Sequence, residues 1–130
     1  MPGKKKKNCI LTETAERDFR QAKQWLLSRW GKELTATYFK DLHQAAEYVA
    51  LNNHSLPEKD YLTGTAELGV YAVREHYMIY LPVNKTQIVI VALIRQIRDV
   101  PAIIKANNYI FRRELKKIRN AIEKGKIKFE

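Results

Sequence analysis

Cysteine, glycine and proline are scarce in this 130-residue chain, at one, five and four residues. The lone Cys9 can form no internal disulfide, so no stapled scaffold is available. So few glycines and prolines, set in no repeat, exclude collagen-like and low-complexity classes. The longest apolar run, Ile88 to Ile94, is far short of the roughly 18 residues of a membrane span. Behind Lys4–Lys7 no apolar segment follows, because Asn8, Thr12, Glu13 and Thr14 interrupt it. No secretory signal is visible, and a cytoplasmic protein without a membrane partner is expected. His43, His54 and His76 stand 11 and 22 residues apart, which is no metal-ligand spacing. There is no Gly-rich phosphate loop either, so neither metal nor cofactor is expected.

What is present suits one globular domain, with 45% hydrophobic and 29% charged residues. The net charge of +10 is unevenly placed. Residues 1–8 carry four lysines and no acid, and residues 101–130 carry nine Lys or Arg against Glu114, Glu123 and Glu130. Residues 9–100 hold eleven charges of each sign. The globular middle is therefore neutral and has no obligatory polyanion partner. Lys4–Lys7 read as a flexible solvated tail, with steering toward RNA, DNA or a ribosome-like surface as the alternative.

Asn8 to Leu11 suits a first strand, and Thr12 can cap the helix that follows, with Glu13 and Glu16 in its first turn. Ala15, Phe19, Ala22, Leu26 and Trp30 form one helical stripe, stopped by Gly31. A second stripe, Leu34, Tyr38, Leu42, Ala45 and Val49, follows at once, so the two helices must fold back as a hairpin. Residues 52–67 have no period and read as a loop. Leu68 to Val73, His76 to Leu81 and Thr86 to Ile94 read as strands, with Pro82 to Lys85 as a turn. The third of these has no polar face and calls for cover on both sides. From Pro101 a terminal helix puts Ile104, Phe111, Leu115, Ile118 and Ile122 on one face until Gly125. The expected fold is α+β, an antiparallel β-sheet packed on an N-terminal α-helical hairpin in the order β-α-α-β-β-β-α.

Several runs carry a resemblance: Ala15-x-x-Asp18-Phe19, Trp30-Gly31, Ala36-x-Tyr38-Phe39-x-x-Leu42, His76 to Tyr80, and Ile88 to Ile94 leading into Arg98-Asp99-Val100-Pro101. Over residues 9–104 the chain resembles the RelE/ParE superfamily of bacterial type II toxins, nearer its ParE branch. The resemblance implies a cognate antitoxin, a hetero-oligomer with it, and growth inhibition when the toxin is unopposed, as in plasmid stabilisation. It implies one of two actions, with an inactive or differently targeted member as a third case. ParE-like members bind and poison DNA gyrase, whereas RelE-like members cut mRNA on the ribosome as endoribonucleases. The chain departs from the ParE pattern at Arg95, where a His is common. Arg95 stays protonated and cannot act as a general acid or base.

For a nuclease, Arg74, Arg95 and Arg98 would supply cations, with His76 as the proton-transfer group beside Glu75, Tyr71 and Asp99. As structural residues, His76 reads as a polar strand-edge group and Asp99 as a helix cap. For a binding toxin, which needs no acid/base pair, Arg95, Arg98 and Asp99 form the target-binding set, and no residue is firmly catalytic. Trp30, Tyr38 and Phe39 read as packing, while Trp25 and Tyr48 flank the stripes and are candidates to meet the antitoxin. Residues 105–130, an extra basic amphipathic helix, are expected to dock on the same domain. Its outer face is left for an acidic antitoxin, a DNA-bound gyrase or a ribosome.

Overall fold

The computed structural model describes residues 8–57, 60–65 and 67–124. Lys4–Lys7 and Gly125, assigned above to a tail and a helix stop, lie outside the described residues. Strand β1 (Cys9–Leu11) leads into helix α1 (Glu13–Asn52), a 3-10 turn (Asn53–Ser55) and short helix α2 (Asp60–Thr63). Strands β2 (Gly69–Val73), β3 (His76–Asn84) and β4 (Gln87–Arg95) follow, then helix α3 (Val100–Glu123). The sheet order is β1-β4-β3-β2. β2, β3 and β4 form an antiparallel meander, while β1 runs parallel to β4, so the sheet is mixed where an antiparallel one was expected. Three residues carry no directional signal, and the long crossover through α1 sets the direction of β1.

Thr12 starts α1 as expected. Its Oγ1 accepts from the Ala15 N–H at 3.0 Å and donates to the Val91 carbonyl at 3.0 Å, tying the helix start to β4. Gly31 sits at φ 82°, ψ −178°, a backbone region open only to glycine. It divides α1 into two arms that fold back on each other: the Phe19 and Phe39 rings lie 6.3 Å apart. A straight helix would separate those residues by about 30 Å.

β4 is the centre of the molecule, with every residue from Ile88 to Ile94 buried. On one face Ile88, Ile90 and Leu93 pack with Met78 and Tyr80 against Leu26, Leu42, Ala46 and Val49 of the hairpin. On the other, Val91 and Ile94 pack with Val70 and Ile79 against Val100, Ile104 and Phe111 of α3. Asp99 caps α3 by accepting from the Ala102 N–H at 3.2 Å, and Pro101 lies in its first turn. Glu114 then links the two layers. Its Oε2 accepts from the Thr14 N–H and hydroxyl, both at 3.0 Å, which seats a carboxylate at the positive end of α1.

Three local expectations change. The loop over residues 52–67 contains the 3-10 turn and α2. β3 runs on through Pro82 to Asn84, where a turn was expected; β2 ends at Gly69 opposite Tyr80, so Pro82 owes no N–H on that side. Trp30 is 39% and Leu34 58% exposed despite their stripe positions, because both sit at the turn of the hairpin. No helix of the described residues is long and apolar enough to cross a membrane.

A Cβ at Gly31 would meet no neighbour, so Gly31→Ala isolates backbone strain and should lower the unfolding free energy by roughly 1–3 kcal/mol in urea titrations. Glu114→Ala, which orphans the Thr14 donors beneath α3, should cost about 1–3 kcal/mol by the same measurement.

Candidate functional site

One irregularity in the sheet positions the site. Ile79 pairs with Ala92 while Tyr80 pairs with Ile90, which leaves Val91 as an extra residue in β4. Such a bulge switches the faces to which later side chains point. Ile88 and Ile90 face the hairpin before it, and Leu93 faces the hairpin after it. The switch carries Arg95 to the hairpin side, where its guanidinium lies 4.4 Å from the centroid of the Trp25 ring. Nε of Arg95 is buried without a hydrogen-bond partner.

Directly across the ladder from Arg95 is His76, 3% exposed. Its Nδ1 is hydrogen-bonded to the Tyr38 hydroxyl, which in turn accepts from the Glu75 N–H at 3.2 Å. Burial, reinforced by the Arg95 charge, lowers the His76 pKa to about 4. Burial also raises the Tyr38 hydroxyl above its ordinary value. Near neutral pH the His76 imidazole is therefore uncharged, with Nδ1 engaged by Tyr38.

Beside this pair, a cleft of about 600 Å³ opens between the first arm of α1, the end of β4 and α3. His76, Arg95, Arg98, Arg17, Trp25 and Asp18 line it. Of the seven residues Trp25, Tyr48, Arg74, His76, Arg95, Arg98 and Asp99 singled out in the sequence as target-binding, nuclease or antitoxin-contact groups, the structure brings four together here: Trp25, His76, Arg95 and Arg98. Arg17, Arg95 and Arg98 have no carboxylate partner at salt-bridge distance among the described residues. Asp18 faces another task, accepting from the Leu93 N–H at 3.0 Å where β4 runs past the end of β1. Burial raises its pKa to about 6, against the pull of that N–H and of Arg17, with Glu114 adding to the rise.

Arg74 lies apart from the cleft. It adopts φ 54° in the β2–β3 turn, donates from Nε to Asp41 at 2.6 Å, and stacks 5.7 Å from the Tyr38 ring centroid. Asp99 is engaged as the cap of α3. Tyr48 is 49% exposed and packs on Tyr71 of β2 at 5.8 Å, well removed in the fold from Trp25 in the cleft. Sequence reasoning missed Asp18, Arg17, Tyr38 as a hydrogen-bonding group, and Glu114. A signal did exist: Asp18 and Glu114 each fall three residues after one buried stripe position and one before the next, where an acid must find a partner.

His76 and Asp18 predict opposed pH effects. His76 titrates lower folded than unfolded, so its contribution is full above about pH 6.5 and lost as pH falls through about 4. Asp18 titrates higher folded, so its contribution is full below about pH 3.8 and lost as pH rises through about 6. Urea midpoints at pH 7 and pH 4.5 should therefore show that, relative to the native chain, His76→Gln gains on acidification and Asp18→Asn loses.

Residues 9–100 match the family described as the ParE toxin of type II toxin-antitoxin system, parDE. Among solved structures, the chain resembles one described as the chromosomal ParDE TA system from P. aeruginosa, at 11% identity and a TM-score of 0.57. The match covers 68% of this chain and 95% of that one, a likeness of fold. No curated protein sequence matches the chain. The family match ends at the first residue of α3, so almost all of that helix lies beyond it. With its core, its bulged central strand and most of its cleft inside the matched span, the chain belongs to the ParE toxin family of type II toxin-antitoxin systems.

Proposed function

We propose that this toxin acts by binding DNA gyrase in the cytoplasm and is neutralised by a cognate antitoxin. The observation that carries this reading is the His76–Tyr38 pair. The one imidazole at the cleft is buried, neutral and hydrogen-bonded to a neighbour that itself titrates high, a poor arrangement for a general base. The cations are better suited to binding: Arg98 is exposed and lines the cleft, and Arg95 stacks on Trp25. In this reading Arg95 and Arg98, with Asp99 holding the turn beside them, contact the target. Trp25 and the exposed Tyr48 are surfaces for the antitoxin. In this reading residues 9–104 are the toxin domain and 105–130 an addition to it, whose described part is the remainder of α3.

A second reading, a RelE-like ribosome-dependent mRNA endoribonuclease, is favoured by the convergence of His76, Arg95 and Arg98 in one cleft.

Induction of the chain alone should arrest bacterial growth, and co-expression of the antitoxin should restore it; vigorous growth at high soluble expression would refute the toxin's activity. In a gyrase supercoiling assay, Arg98→Ala should weaken inhibition about 10- to 100-fold, the scale of one charge-assisted contact, and His76→Ala much less. Codon-specific mRNA cuts on ribosomes that vanish in His76→Ala would establish the nuclease reading instead.

A further inference from the structure

Helix α3 carries more than the apolar stripe that docks it. Lys105, Arg112, Arg113, Lys116, Lys117, Arg119 and Lys124 are all exposed, and none forms an ion pair among the described residues. Of the two acids in this stretch, Glu114 is buried and committed to Thr14, leaving only Glu123 outside. No basic residue falls in the last turn of the helix, so the helix dipole does not account for the charge. Like charges also stand four residues apart at Arg112/Lys116 and Arg113/Lys117, an arrangement that opposes helix formation. Nothing inside the molecule is gained by it.

The arrangement is ordered. At about 100° per residue, Lys105, Arg112, Lys116 and Arg119 fall on one flank of the outer surface, and Arg113, Lys117 and Lys124 on the other. Tyr109, 66% exposed, and the exposed Asn120 lie between the flanks. Lys105 and Lys124 are about 28 Å apart along the axis. Phe111, Ile104 and the Glu114–Thr14 hydrogen bonds fix which way this face points.

We propose that the outer face of α3 is a binding surface for duplex DNA. Two rows of cations with a polar strip between them suit a helix lying along a groove, the rows meeting phosphates on either side and Tyr109 and Asn120 facing the base edges. A helix about 10–12 Å across fits the roughly 12 Å major groove of B-form DNA. The deep, narrow major groove of duplex RNA does not admit it. A single exposed aromatic on this face is no stacking platform for a single strand. The surface lies beyond the family match and depends on no particular target of the toxin.

The test is fluorescence anisotropy of the full chain with a labelled 20-base-pair DNA duplex of arbitrary sequence. If about five phosphates are neutralised, affinity should fall about 500-fold between 50 and 200 mM salt. The variant Arg112→Gln/Arg113→Gln/Lys116→Gln should reduce the log–log salt slope by about 3. Lys32→Gln/Lys40→Gln, at exposed positions of α1, should leave the slope close to native. Lys4–Lys7 are retained in every protein and cancel in the comparison. Unchanged melting temperatures would show that the substitutions leave the fold intact. The proposal is overturned if the native chain does not bind at 50 mM salt, if both variants weaken binding alike, or if duplex RNA binds equally well. It is equally overturned if the triple variant loses an acidic protein partner while its DNA affinity stays native.

Discussion

The rest of the structure depends on a strand with no polar face. Ile88 to Ile94 are buried on both sides of the sheet, and neither face could be left to water without exposing several large apolar side chains, each worth roughly 1.5–3 kcal/mol of burial. One cover is the hairpin, which exists only because Gly31 lets α1 reverse. The other is α3, whose start is fixed by Asp99 and Pro101 immediately after the strand. Glu114 then joins the covers through Thr14. Hairpin, sheet and terminal helix are thus consequences of a single demand for two-sided burial.

Most of this was legible as periodicity. The two stripes on either side of Gly31, the Thr12 cap, the three meander strands, the two-sided strand and the Asp99–Pro101 helix start are all local signals, and local geometry honours them. The parallel pairing of β1 was not legible, because strand direction over three residues is decided by a long crossover. The bulge at Val91 was hidden for a related reason: a run of uniformly apolar residues conceals a change of phase. The cleft was half legible. Arg95, Arg98, His76 and Trp25 were visible as residue types, but their meeting depends on that bulge and on how α3 leans over the sheet. Arg74, equally suggestive as a residue type, is diverted to Asp41 by its own turn.

The site and the core are hard to separate. His76 is held neutral by the burial that makes it part of the packing, and Asp18 is held partly protonated near pH 6 while it closes the ladder of β4. Nδ1 of His76 and Oδ2 of Asp18 are already committed to partners inside the protein. Arg17, Arg95 and Arg98, by contrast, reach the cleft with no carboxylate partner among the described residues. The cleft thus sets fixed positive charge beside an aromatic wall.

The way the sheet ends also bears on how the protein behaves in a crowded cell. An unpaired strand edge is a template for adding further chains. Along β4, the three residues of β1 satisfy the first part of the outer edge, and Thr12 and Asp18 of α1 occupy the part beyond. On the opposite side β2 offers five residues, and where β2 stops, β3 continues with Pro82, which has no N–H to give. One edge is closed by side chains of a helix, and the other is short and followed by a proline. Edges of this kind leave few backbone groups free to template the addition of another chain.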